Sequence, residues 1–418
     1  MRKVKFLLVV ILFVAAMQGS AVQAATPAQI EQAVANGLAW LATQQNPDGS
    51  FGNYVPVAET GLAVWAFCQR AIHLNVDPLS AAFPYKNQVQ NGLNYLFAQA
   101  QTTPLANPDG NGDGLAVVWN LGTPYETYST GIAMAAIASS QNPGAIVNVA
   151  ASPVNGWTYQ KVLQDGVDWL VNAQGAAGCN EGGWAYYTPF AFPWADQSNS
   201  GYASFGLKLA HDAAPYGFRL TIPQATLNHL NVYITHVQDA GGGSIYEPCT
   251  PYSWINILKT GHLINQMILV GDTKTTARVQ NAIAYIESQW NNTGPNAGYS
   301  ETSQGWKDDY QAMFTMMKGL VSAGVDTLTV GGNPIDWFDQ VSTQIVTTQN
   351  VNGSWPLTIY EGGDESQILT TAWALLTSMK SAGAPPQVVP AFSGWGLIIF
   401  SCLLIASVIV FNSKRRRA

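Results

Sequence analysis

The chain has little charge. Lys, Arg, Asp and Glu make up 10% of its 418 residues, against about 25% in an average soluble domain. Its surface polarity must therefore come from Asn, Gln, Ser and Thr. The formal net charge is −7, and no basic run occurs outside the two ends. That excludes a nucleic-acid partner, which needs a cationic footprint. Histidine is also scarce. His73, His211, His229, His236 and His262 have no cysteine at metal-ligand spacing, which argues against zinc. Only four cysteines occur. Cys402 lies in an apolar terminal run and Cys68 in an apolar helical pattern, where it reads as a small buried hydrophobe. Cys179 and Cys249 lie in Gly-rich connections.

Long apolar runs are confined to the ends. Arg2, Lys3 and Lys5 precede the apolar stretch Phe6 to Met17, and Val22-Gln23-Ala24 supplies small residues for cleavage. This is the pattern of a secretory signal over 1–24. Trp395 to Phe411 carries no charge and is followed by Lys414-Arg415-Arg416-Arg417. It reads as a membrane anchor over 395–411, with 412–418 as its basic cytoplasmic tail. The intervening residues are then exported to the cell envelope, where cysteines oxidise. The stretch Val389-Pro390-Ala391-Phe392-Ser393-Gly394-Trp395-Gly396-Leu397, in the linker and motif 384–394, resembles an IPTL-type C-terminal sorting tail. The resemblance departs at Ala391 and Phe392. It implies processing by an exosortase-like membrane enzyme; the alternative is a simple anchor.

Residues 25–383 repeat. Gln45-Asn46-Pro47-Asp48-Gly49-Ser50-Phe51 and Gln349-Asn350-Val351-Asn352-Gly353-Ser354-Trp355 both read Gln, three residues, Gly, one residue, aromatic. Weaker copies start at Gln101, Gln174, Gln238 and Gln289. Their aromatic partners include Trp184 after Gly183, Tyr246 after Gly243 and Tyr299 after Gly298. The copy at Gln101 has a long Asn/Asp/Gly turn instead. Each turn follows an amphipathic helical pattern, as in Ile30, Ala33, Val34, Leu38, Leu41 and Ala42. Each precedes a more apolar one, such as Gly61 to Phe67 or Ile255 to Val270. The expectation is six hairpins with apolar second helices inside.

The six-fold Gln-x-x-x-Gly-x-Trp/Phe repeat resembles the terpenoid-cyclase/protein-prenyltransferase superfamily, the squalene-cyclase-like group with prenyltransferase/squalene oxidase repeats. That resemblance implies an all-α fold, an (α/α)6 toroid of two concentric helical layers. It would set the turns holding Cys179 and Cys249 side by side, so a disulfide is expected between them. The family's catalytic patterns are missing. No Asp-x-Asp-Asp acid motif of class II cyclases occurs, Asp308-Asp309 being only a pair. Gly178-Cys179-Asn180-Glu181-Gly182 lacks the Gln that a thioester of the macroglobulin type requires.

Candidate site residues lie where the second helices begin. Glu59, Glu126, Asp196, Asp308, Asp309, Asp364 and Glu365 place carboxylates there in five of six repeats. Helix capping accounts for each singly. A shared acidic rim is the functional alternative, with aromatic walls from Trp65, Tyr125, Tyr128, Trp184, Trp254, Tyr310, Trp355 and Trp373. Asp109, Asn111 and Asp113 present oxygens at alternate positions, like half a calcium loop. Asn120 stands where its closing Glu belongs. No organic cofactor is called for, and calcium is the single candidate ion. The sequence thus points to a membrane-anchored binding or assembly module for a glycan, lipid or peptide. The alternative is an envelope enzyme, a lyase, hydrolase or cyclase-like protein, using the rim carboxylates.

Overall fold

The computed structural model describes residues 23–105, 109–188, 194–249, 254–292, 305–307, 309–357 and 366–380. The expected signal, sorting tail and anchor lie outside them, as do Asp308, Asp364 and Glu365. Among the described residues no helix is long and apolar enough to cross a membrane.

Among the described residues twelve α-helices alternate between two layers. The outer ones are α1 (Pro27–Thr43), α3 (Lys86–Gln99), α5 (Tyr159–Asn172), α7 (Gln224–Val237), α9 (Ala277–Gln289) and α11 (Trp337–Thr348). The inner ones are α2 (Pro56–His73), α4 (Glu126–Ser139), α6 (Gln197–His211), α8 (Ile257–Leu269), α10 (Tyr310–Ser322) and α12 (Gln367–Ser378). Burial separates the layers. In α4 only Tyr128 escapes full burial, whereas α3 buries a single stripe of Val89, Gly92, Leu93, Leu96 and Phe97. Each inner helix packs on the next, and α12 packs back on α2. The ring is therefore closed and needs no capping repeat.

The repeat motif explains the closure. The Gln45 amide donates to Gly49 O within its own turn and to Gln88 O at the start of the next outer helix. Gln174 and Gln238 make the equivalent pairs of bonds. Gln349 completes the circle by donating to Gly353 O and, at 2.8 Å, to Ala33 O of α1. The turn glycine must be glycine. Gly353 has φ +97°, and a Cβ there would sit 2.5 Å from Asn36 O of α1. The motif aromatic turns back on its own hairpin: Trp184 Nε1 donates to Leu170 O and Trp355 Nε1 to Ile345 O.

A second repeated device lies in the inner helices. The backbone N–H of Phe51, Trp119, Trp184, Ser244 and Trp355 donates to the hydroxyl of Thr60, Thr130, Ser200, Thr260 and Thr371, respectively. In the first four hairpins a glycine follows that residue: Gly61, Gly131, Gly201 and Gly261. A Cβ on Gly131 would lie 2.2 Å from Tyr202 O, so these glycines let the inner helices approach.

Two local expectations are corrected. Gln101 is no helix-end clamp. It lies in β1 (Ala100–Pro104), which pairs antiparallel with β2 (Leu115–Trp119), and Trp119 takes the aromatic position. Ile255 and Asn256, expected in the fourth inner helix, form β4 (Ile255–Asn256), paired with β3 (Ser244–Ile245). A third hairpin, β5 (Thr327–Val330) with β6 (Asn333–Asp336), joins α10 to α11. Cys179 and Cys249 form a disulfide with Cα atoms 5.5 Å apart, as the hairpin register implies. Cys68 is buried and unoxidised.

A tyrosine-lined mouth as candidate functional site

All six inner helices start at one end of the ring. The four described candidate carboxylates gather there, and all four are buried. Each is tied to a helix start or to the loop leading into it. Asp196 Oδ1 accepts from Ser198 N and Asn199 N at 2.8 and 3.0 Å, and Oδ2 accepts from Asn199 Nδ2. Asp309 Oδ1 accepts from Ala312 N at 2.8 Å. Glu59 Oε2 accepts from Tyr54 N and Val55 N, so it closes the loop before α2. Glu126 accepts from Gly122 N and also reaches the next hairpin, taking both the N–H and the hydroxyl of Thr188. These contacts satisfy orphan N–H groups at helix starts and turns. Burial raises the Asp196 carboxyl above its ordinary value, against lowering by Ser198, Asn199 and the Lys259 charge.

The mouth surface itself is aromatic. The Tyr54 and Tyr125 hydroxyls approach to 3.4 Å, and the Tyr125 and Tyr128 rings meet edge-on at 5.8 Å. The Tyr186 and Tyr246 hydroxyls are 2.9 Å apart, and Tyr246 stacks on Trp254 at 4.6 Å and 15°. Burial, then the neighbouring Tyr125, Tyr186, Tyr54 and Tyr202, push the Tyr128 phenol up. That set of neighbours makes one continuous cluster. Tyr54 stays exposed, and Tyr125, Tyr128, Tyr186 and Trp254 are half-buried.

Below the mouth the axis is filled. Trp65, Phe205 and Phe314 come from alternate inner helices and meet with centroids 5.5–6.1 Å apart. The expected aromatic walls are thus redistributed. Trp65 plugs the axis. Trp184 and Trp355 anchor the turns, and the Tyr310 hydroxyl bonds Thr348 of α11. Trp373 is buried within α12, which leaves Tyr125, Tyr128 and Trp254 of that set at the mouth. An open apolar shaft behind the rim is not what these residues build.

No known family profile matches the chain, and no curated protein matches it. Among solved structures it is similar to the type II terpene cyclase MstE from Scytonema, with 15% identity, TM-score 0.48, and coverage of 85% of this chain and 98% of that one. A variant of that enzyme in complex with geranylgeranyl dihydroxybenzoate is 13% identical, with TM-score 0.48, covering 84% and 96%.

One residue that sequence reasoning missed completes the mouth. Lys259, in the first turn of α8, is 5% exposed, with Nζ 5.0 Å over the Tyr246 ring. Burial lowers its ammonium to about 8, against support from Asp196 and Asp309. A lysine inside an apolar helical run was the available signal.

The calcium-like loop lies elsewhere, against α5. The Asp109 carboxylate is taken up by the backbone N–H groups of Asn111, Gly112 and Gly114. These bonds hold its carboxyl below the ordinary value. Lys161 Nζ lies between Asp113 and Asp165, while the Asn111 amide also donates to Asp165. Among the described residues no group of three or more His, Cys, Asp or Glu is set to hold a metal. Loop and helix line a groove of about 430 Å³ that includes Gly110, Gln164 and Leu220.

Proposed function

We propose that this chain is an exported, membrane-anchored binding protein that presents the mouth of its helical ring to a glycan. The observation that carries this reading is the tyrosine cluster. Aromatic faces stack on the C–H faces of sugars, and their hydroxyls exchange hydrogen bonds with sugar hydroxyls. Tyr54, Tyr125, Tyr128, Tyr186, Tyr246 and Trp254 supply both at one opening. The filled axis disfavours an elongated lipid, which would need the space held by Trp65, Phe205 and Phe314.

The enzyme reading has one observation in its favour. Glu59 Oε1 is buried with no hydrogen-bond partner among the described residues, a carboxylate oxygen not consumed by capping.

Calorimetric titration with a panel of neutral oligosaccharides tests the proposal. Binding should weaken at least tenfold in Tyr125→Ala and Trp254→Ala, roughly the loss of one stacking contact of about 1.4 kcal/mol. Full-strength binding in both variants would place the ligand elsewhere. Turnover of a bound glycan that Glu59→Gln abolishes would favour the enzyme.

A further inference from the structure

Lys259 is chemically out of place in the mouth. Its Nζ has no hydrogen-bond or ion-pair partner among the described residues, although the side chain is almost wholly buried. The groups facing it are Asp196 and Asp309 at the starts of α6 and α10, the Tyr246 ring, and His262 one turn along its own helix. Neither carboxylate is bonded to it. Asp196 is saturated by its own helix start, and Asp309 caps Ala312.

The electrostatics decide against the simplest use of a buried lysine, which is holding an anion. Six helix N-termini contribute about half a positive charge each, some +3 together. Lys259 adds one more. Glu59, Glu126, Asp196 and Asp309 offset that sum, leaving the described mouth near neutrality. An anionic ligand would gain little and would face four carboxylates. An amine with no hydrogen-bond or ion-pair partner among the described residues, set against the Tyr246 ring and felt by two carboxylates, is instead arranged as a nucleophile.

We propose that Lys259 captures the carbonyl carbon of an open-chain aldehyde, such as the reducing end of a sugar held on the tyrosines, as an imine. This deepens the glycan reading and rests on it. In the step, the neutral amine attacks the carbonyl carbon and a C–N bond forms. The nitrogen loses two protons, and the carbonyl oxygen leaves as water. No oxidant or reductant is required. Relative to a lysine at the ordinary 10.5, an amine at about 8 has on the order of 300-fold more free base at pH 7.

The test is reductive trapping on the full chain in detergent, with glycolaldehyde and cyanoborohydride, read by peptide mass mapping. At pH 7 Lys259 should label at least tenfold faster than the exposed Lys274, with a rate rising to half its maximum near pH 8. Lys259→Arg should keep the fold, read by circular dichroism, but lose that label; Lys259→Met serves as a second variant. Labelling of Lys259 no faster than Lys274, or label confined to the equally buried Lys318, overturns the inference. If glycan binding is intact in that case, the functional reading stands without it. Fast Lys259 labelling in a protein that binds no glycan supports the reactive amine and sinks the glycan.

Discussion

Replacing Gln349 with alanine tests whether the ring is closed. The Gln349 amide donates to Gly353 O at 2.9 Å and to Ala33 O at 2.8 Å, so it ties the last hairpin to the first. Each lost bond costs about 0.5–1.5 kcal/mol net. Both acceptors are backbone carbonyls in a part-buried seam, where leaving them unpaired adds to the loss. The expected destabilisation is about 2–3 kcal/mol. Gln45→Ala removes the same two kinds of bond, to Gly49 O and Gln88 O, at an internal seam. In a closed ring the two seams are equivalent, so the two variants should agree within about 1 kcal/mol. In an open stack the Gln349 seam would join nothing. Urea unfolding followed by tryptophan fluorescence measures both. A cost below about 0.5 kcal/mol for Gln349→Ala, beside a full cost for Gln45→Ala, would refute closure.

Other outcomes follow from the same packing. Gly131→Ala should cost at least about 1–3 kcal/mol, because the new Cβ would lie 2.2 Å from Tyr202 O and backbone cannot give way. Gly144→Ala, with nothing within 4 Å, is the silent control in the same denaturation series. Cys179→Ser should lower stability by about 2–4 kcal/mol, since the bridge closes a separation of 70 residues; an unchanged melting temperature under reducing conditions would contradict this. Burial raises the Asp165 carboxyl to about 6, against lowering by its Lys161 partner. A folded value above the unfolded one means this group's contribution is complete below about 4 and is lost as pH rises through about 6. Asp165→Asn should therefore flatten the stability profile between those values, and an unaltered slope would show that Asp165 is not its source.

Much of the fold was legible because the repeat places its constraints close in sequence. The Gln, the Gly and the aromatic of one turn lie within seven residues, and each has a local task at a helix end. The copies at Gln101 and Gln289 were less legible for the same reason. In the second hairpin the task passes to Trp119 across a strand pair, and among the described residues Gln289 bonds only Ser288 and Asn292. The Thr-Gly or Ser-Gly step of the inner helices was on the page but unread, since its meaning lies in the neighbouring helix. Glu59, Glu126, Asp196 and Asp309, the described carboxylates, were legible as residues at helix starts. What they do was not, because capping and catalysis ask for the same residue at the same place. Tyr54, Tyr186 and Tyr246 come from loops of different hairpins, and nothing in sequence spacing announces that they share an opening. Lys259 joins them only through the start of α8.

The most direct measurement is a crystal structure of the described ring with a bound oligosaccharide. A sugar ring is expected at van der Waals distance, roughly 4 Å, from Tyr125–Tyr128 or Tyr246–Trp254, with Trp65, Phe205 and Phe314 still closing the axis beneath it. A ligand threaded through the axis with those three rings displaced, or one seated on the outer helices, would contradict it.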